Sequence, residues 1–437
     1  MSTRQNRRAV LALGAGGAAL ALALTGCSTG GGDSADGSQL SILIDNQEAT
    51  VTTMNALVAA YQEENPDVTI DVETRPQGSE GDNVVKTRLS TGEMNDLFWY
   101  NSGSLLKAIN PDQNLVDLSG EEWAGKVDEN AVRALSGDNG LYGVPLGQSM
   151  AGAMLYNKDV YSELGLSVPT SWDEFVSNAE AVKAAGTVAP IIQTYGDTWT
   201  SQLFLLGDFA NVLAEDPEWA ESYTANEAKY VDEPAFAGFE HLEQLSKAGL
   251  FNEDFASATY DDGVRMIATG EGAHYPILTF AAQPLMLNYP DDADNVGLFA
   301  IPGDETDSPL TVWQPFGVYI PKSTEGAKLD AAKDFAAWLA TPESCEIQSE
   351  TTAPQGPYVI EGCALPDDVP PMISDMQPYF DSGNTGLALE FLSPIKGPAL
   401  EQITVAVGSG ITPAAEGAKQ YDDDVTKQAK QLGLEGW

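Results

Sequence analysis

Cysteine, histidine and carboxylate positions set the limits on what chemistry this chain could perform. Three cysteines (27, 345 and 363) and two histidines (His241 and His274) occur in 437 residues. No cysteines stand at zinc-site spacing, so a transition-metal centre has no ligand set. The segment "DDADNVG" (291–297) opens like a calcium loop. An apolar residue, however, stands where the third oxygen ligand belongs. His274 lies within an apolar run and reads as a hydrogen-bonded core residue. The 65 acidic residues would permit a glycosidase, but that chemistry needs two carboxylates at a defined separation, and no spacing singles out such a pair. The glycines "GAGG" (14–17) lie in an N-terminal apolar run and form no nucleotide loop. No metal and no cofactor is expected.

Cys27 sits at a seam. Arg4, Arg7 and Arg8 precede the apolar run "AVLALGAGGAALALAL" (9–24), and the tract after the cysteine is Gly, Ser and Asp. The run is too short for a bilayer span, which needs about 20 apolar residues, and reads as a secretory signal. "LTGC" (24–27) resembles the bacterial lipobox. The resemblance implies a signal peptide over 1–26, cleavage before Cys27, and lipidation of that cysteine. An ordinary signal with an incidental cysteine is the alternative. Residues 27–39 then form the lipidated end and a flexible tether, because such composition buries too little to offset chain entropy. The expected location is the extracytoplasmic face of the cell membrane, where disulfides persist. Cys345 and Cys363 are 18 positions apart, and a bridge is favoured over two free thiols.

Charge narrows the partners. Lys and Arg number 21 against 65 Asp and Glu, for a net charge of −44. Such a field repels nucleic acid and favours a neutral or cationic ligand. An acidic surface selected for solubility would look the same. The hydrophobic content of 43% supports real cores, and the chain beyond the tether suffices for two or three domains.

The elements that must position any site alternate. "LSILI" (40–44) is a buried strand, and Met54, Leu57, Val58 and Tyr61 are spaced as one helix face over 50–64. A strand at 65–74, a helix at 83–92 and the buried strand "DLFWY" (96–100) follow. This order predicts a three-layer α/β domain. Ligands in such sheets lie beyond the carboxyl ends of the strands, which points to "DNQE" (45–48) and "YNSGS" (100–104). A strand-like block starts near 143, and a mainly helical stretch runs to about 270. Strands return at 272–280, 295–303 and 316–322, then a helix at 326–343 and amphipathic helices around 368–380 and 415–432.

The order of "LYNKDVYSELGLSVPTSWDEF" (155–175), "GEGAHYPILTF" (270–280) and "PFGVYIPKST" (315–324) followed by "AAKDFAAWLATPES" resembles the family 1 extracellular solute-binding proteins. These are the sugar-capturing subunits of ABC importers. The resemblance implies a periplasmic-binding-protein-like α/β fold, with two discontinuous lobes and a ligand cleft between them. Lobe 1 is expected from 38–146 plus 317–352, and lobe 2 from 147–316 plus 353–437. Cys345 and Cys363 would then flank the last crossover between lobes. The implied contacts are Asp45, Asn46, Gln47 and Glu48 after the first strand, and Tyr100, Asn101 and Ser102 after the third. Gln148 and Ser149 enter lobe 2, and the "QTYGDTW" loop offers Tyr195, Asp197 and Trp199. At the usual stacking site this chain has Phe280; Trp313 and Gln314 sit at the crossover, with Glu390 and Phe391 near the C-terminus. Trp99, Trp172, Trp219 and Trp338 read as core or helix-packing residues.

These residue types suit a sugar. Aromatic rings cover the C–H face of a pyranose, while carboxylates and amides exchange hydrogen bonds with its hydroxyls. The resemblance therefore implies a monomeric binding protein and not an enzyme, with an oligosaccharide ligand and ABC permease subunits as partners. The same fold binding a polyamine or peptide, or a glycan-active enzyme, are the alternatives.

Overall fold

The computed structural model describes residues 39–304 and 307–437. The signal segment 1–26, Cys27 and the tether up to residue 38 lie outside the described residues. Eleven strands run in the order β1 (Gln39–Asp45), β2 (Thr69–Arg75), β3 (Leu97–Tyr100), β4 (Gly143–Leu146), β5 (Met150–Asn157) and β6 (Ala189–Ile191), then β7 (Gly272–Leu278), β8 (Val296–Ala300), β9 (Leu310–Trp313), β10 (Phe316–Tyr319) and β11 (Thr385–Leu387).

They form two sheets. The first is ordered β2-β1-β3-β10-β4. β1 is parallel to β2 and β3, and β10 is antiparallel to β3 and β4. The helix Glu48–Glu64 covers the sheet by burying Met54, Leu57, Val58 and Tyr61, the face that the sequence spacing marks out. The second sheet is ordered β11-β9-β5-β7-β6, with β8 also paired to β5. One edge of β5 is shared: Met150–Gly152 pair with β9, and Ala153–Asn157 with β8.

Each sheet supports its own core. Leu57, Phe98, Tyr319 and Phe335 fill the first; Phe175, Phe204, Phe239, Tyr275 and Phe299 fill the second. The two lobes are therefore built from discontinuous stretches of chain. The chain leaves the first sheet at β4 and enters the second at β5, then returns between β9 and β10. Gly147, at φ 109°, makes the first passage, a left-handed-side conformation that side chains disfavour. The stretch from 143 that reads as one strand is thus two strands in different sheets, followed by the helix Lys158–Leu164.

After the helix Pro342–Thr351 the chain crosses again. Cys345 and Cys363 are joined by a disulfide. Val359 and Ile360 belong to the first core, and Cys363 packs against it. Backbone bonds hold this segment down: Asp128 N donates to Val359 O at 2.8 Å, and Glu361 N to Lys126 O at 2.8 Å. The bridge, expected to flank the crossing, instead ties two pieces of the first lobe. The helical reading of 368–380 resolves into two short helices, Pro371–Ser374 and Gln377–Ser382, because Pro370, Pro371 and Pro378 remove donors that a longer helix needs.

Candidate functional site

A cleft of ≈ 770 Å³, measured to its open mouth, lies where the two sheets meet. Gln47, Thr50 and Thr53 line it from the start of the first helix, and Trp99 and Phe316 from β3 and β10. The crossing segment contributes Leu146, Gly147 and Gln148, the second lobe Met150 and Gln283, and the helix Pro342–Thr351 with the residues after it Gln348, Thr352 and Gln355. None of the fifteen lining residues is charged, and five are glutamines. In a chain with net charge −44, that neutrality is a property of the site alone.

Local structure aims these groups. β1 ends at Asp45, whose Oδ1 accepts from Gln47 N at 3.0 Å, so the chain turns at once into the helix Glu48–Glu64. Gly147 N donates to Gln348 Oε1 at 2.8 Å, and Thr53 Oγ1 lies 2.9 Å from Thr351 Oγ1. These bonds tie the crossing segment and the first helix to the helix Pro342–Thr351. Gln148 is 8% exposed, and its Nε2 is buried without a partner. Trp99 and Phe316 pack with ring centroids 4.4 Å apart.

A second aromatic group stands in the other lobe. Trp199, Tyr260 and Phe280 are mutually in contact, with centroids 5.5, 5.9 and 5.7 Å apart. Asp197 Oδ2 accepts from Tyr260 N at 2.7 Å, which joins the 197–199 loop to the helix Tyr260–Thr269. Burial, then the neighbouring Tyr275 and Asp261, push the Tyr260 hydroxyl pKa well up. Phe280 sits on a 3-10 turn that runs directly into the helix Ala282–Asn288, and that helix carries Gln283 to the cleft.

The remaining expected contacts scatter. Asn46 and Glu48 are exposed beside Gln47. Asp45 is buried opposite Arg75 in register, and Arg75 stands 5.5 Å above the buried Tyr100 ring. Burial lowers the Arg75 pKa, against the pull of Asp45 and Asp82. Asn101 O accepts from Tyr319 Oη at 3.0 Å, and Ser102 Oγ donates to Pro315 O at 2.8 Å. Ser149 N donates to Pro357 O at 2.9 Å. Tyr195 is buried in the second lobe, its ring edge-on to Phe255. Trp313 lies against Gly152 and, with Glu390 and Lys396, borders a separate small hollow. Gln314 is buried with Oε1 unpaired. Phe391 packs on Gly103, where a Cβ would lie 2.8 Å from Cδ1, so the two lobes touch there.

Residues 45–344 match the family described as bacterial extracellular solute-binding protein. The chain belongs to that family. It is a binding protein, and its cleft needs no catalytic assignment. This solute-binding protein is 23% identical over 299 residues to the multiple sugar-binding protein of Streptococcus mutans, covering 67% of this chain and 69% of that one. It is 23% identical over 344 residues to the melibiose/raffinose/stachyose-binding protein MelE of Bacillus subtilis, covering 76% and 77%. Among solved structures, a chitin oligosaccharide binding protein superposes with a TM-score of 0.74 at 20% identity, over 90% of this chain and 99% of that one.

Sequence reasoning missed the cleft residues Trp99, Phe316, Gln283, Gln348 and Gln355. Trp99 reads as a core residue and is one, at 8% exposure, yet it also borders the cleft. The glutamines carry no local signal, because they arrive from two distant segments, Gln283 from one and Gln348 with Gln355 from the other.

Proposed function

We propose that this solute-binding protein captures a neutral oligosaccharide of two or more units between its lobes and delivers it to the permease of an ABC importer. The observation that carries this reading is the uncharged, glutamine-lined cleft with the Trp99–Phe316 pair at its side. Amides both donate and accept, as hydroxyls do, and stacked rings cover a sugar's C–H face. Five such amides, Gln148 among them, stand in this lining. A polyamine would call for carboxylates in the lining, and the lining has none.

Gln47 and Gln148 line the cleft, and in this reading closure of the lobes brings the Trp199–Phe280 group onto the same ligand. Sugars engaged by both lobes favour the closed state. The relatives named for sugars support this choice of ligand class. We further propose that the mature chain is a monomer, begins at Cys27, is lipid-anchored there on the extracytoplasmic face, and keeps its Cys345–Cys363 bridge.

Titration calorimetry with di- to pentasaccharides of the raffinose, malto-, xylo- and chito-series tests the reading. Saturable heat with no product by chromatography is expected. Turnover, or binding of a polyamine or peptide with no sugar bound, would sink it.

A further inference from the structure

We infer that the cleft continues into an additional sugar subsite between the helix Ala282–Asn288 and the chain segment 349–354, so that the protein prefers a longer oligosaccharide than the cleft alone can hold. The inference rests on the sugar-binding reading above.

A groove of ≈ 850 Å³, measured to its open mouth, shares Gln283 and Thr352 with the cleft. The two hollows are therefore adjacent, and a ligand spanning both would pass Gln283 and Thr352. The groove's walls come from different parts of the fold. Met286 and Leu287 face it from the second lobe, and Ser349 to Pro354 from the end of the helix Pro342–Thr351 and the residues after it.

Its chemistry changes from that of the cleft. Leu287 is 76% exposed, although its own helix buries Ala282 and Leu285. A lone exposed leucine means little. This one stands with Met286 across from Ser349 and Glu350, with Asp368 also at the rim. An apolar wall facing hydroxyl and carboxylate acceptors matches the two sides of a pyranose, C–H face and hydroxyl edge. The two carboxylates repel a charged uronic acid. The segment 349–354 is not a free loop: Thr351 Oγ1 meets Thr53 Oγ1 at 2.9 Å and donates to Ile347 O at 2.9 Å.

The test measures affinity against chain length for the wild type and for Leu287→Asp and Asp368→Ala, both changes on exposed side chains. The panel is the raffinose, malto-, xylo- and chito-series from two to five units. In the series that binds, wild-type affinity is expected to step up on addition of one particular unit. Leu287→Asp is expected to remove about tenfold at and beyond that length, the scale of partly burying one leucine. Shorter sugars keep their affinity, and melting temperatures stay unchanged. Sugar binding with no step, or equal losses at every length, overturns the subsite and leaves the proposed function standing. No binding by any series overturns both.

Discussion

Trp99 and Phe316 stack across adjacent strands, their planes tilted by 36° and their centroids 4.4 Å apart. Phe316 is the first residue of β10, immediately after the chain returns from the second lobe. The aromatic side of the cleft is thus built on the rim of the passage between lobes, on a strand that pairs with both β3 and β4.

That position separates two tryptophan effects. Trp99 is only 8% exposed and belongs to the first core, so Trp99→Leu is expected to lower both sugar affinity and melting temperature. Trp199 is half-buried, and Trp199→Ala is expected to cost roughly 1–3 kcal/mol of affinity with little change in melting. Calorimetry and thermal denaturation on the two variants check this. Full affinity in Trp199→Ala would remove the second lobe's aromatic group from the site.

The disulfide predicts a stability change without a binding change. Closing a loop of this size contributes on the order of 3 kcal/mol by restricting the unfolded chain, and both half-cystines pack on one core. Reduction is expected to lower the melting temperature while sugar affinity at 25 °C persists. Two thiols found by alkylation of the untreated, denatured protein would refute the bridge.

Asp208 makes stability fall with rising pH. It is buried in the second lobe, and burial first, then Asp304 and Glu215, push its carboxyl up to about 7, against one bond from Asn211 at 2.8 Å. Between the ordinary carboxylate range and about 7 the native state holds a proton that the unfolded chain has lost. Stability from this group is therefore full below the unfolded pKa and disappears as pH rises through the folded one. Asp208→Asn keeps the acceptor for Asn211 and is expected to melt higher than the wild type at pH 8, by an amount that shrinks toward pH 4. His274 acts oppositely: burial lowers its pKa to about 4, so it costs stability as pH falls below its unfolded value. It is unchanged in the variant and cancels in the comparison.

How much of this was readable beforehand depends on distance along the chain. The first helix was legible because Met54, Leu57, Val58 and Tyr61 encode their face locally, and all four are buried. Gln47 was legible because it follows a parallel strand directly. Gln348 was not. In sequence it is one polar residue among many in a helix; its role comes from meeting Gly147, 201 positions away. Tyr195 shows the converse. Its polar loop suggested a surface ring, yet a close approach to Gly408 and edge contacts with Phe251 and Phe255 seat it inside.

Cys27→Ser is expected to leave the protein in the soluble fraction or unprocessed, since the proposed anchor is the only membrane attachment in this reading. Among the described residues no helix is long and apolar enough to cross a membrane. Mass spectrometry finding an unmodified Cys27 in the wild type would dispose of the anchor.

The neutral lining of the cleft has a kinetic consequence. A sugar without charge gains nothing from the acidic exterior, so its encounter rate with the mouth is governed by diffusion and by how often the lobes stand apart. Salt at 0.1 M, which screens charges beyond about 10 Å, leaves that rate unchanged in stopped-flow fluorescence. An anionic metabolite, by contrast, is slowed by the acidic exterior at low salt and less so as salt rises. Discrimination on rate is thus salt-dependent for anions and absent for neutral sugars, which the site sorts by shape.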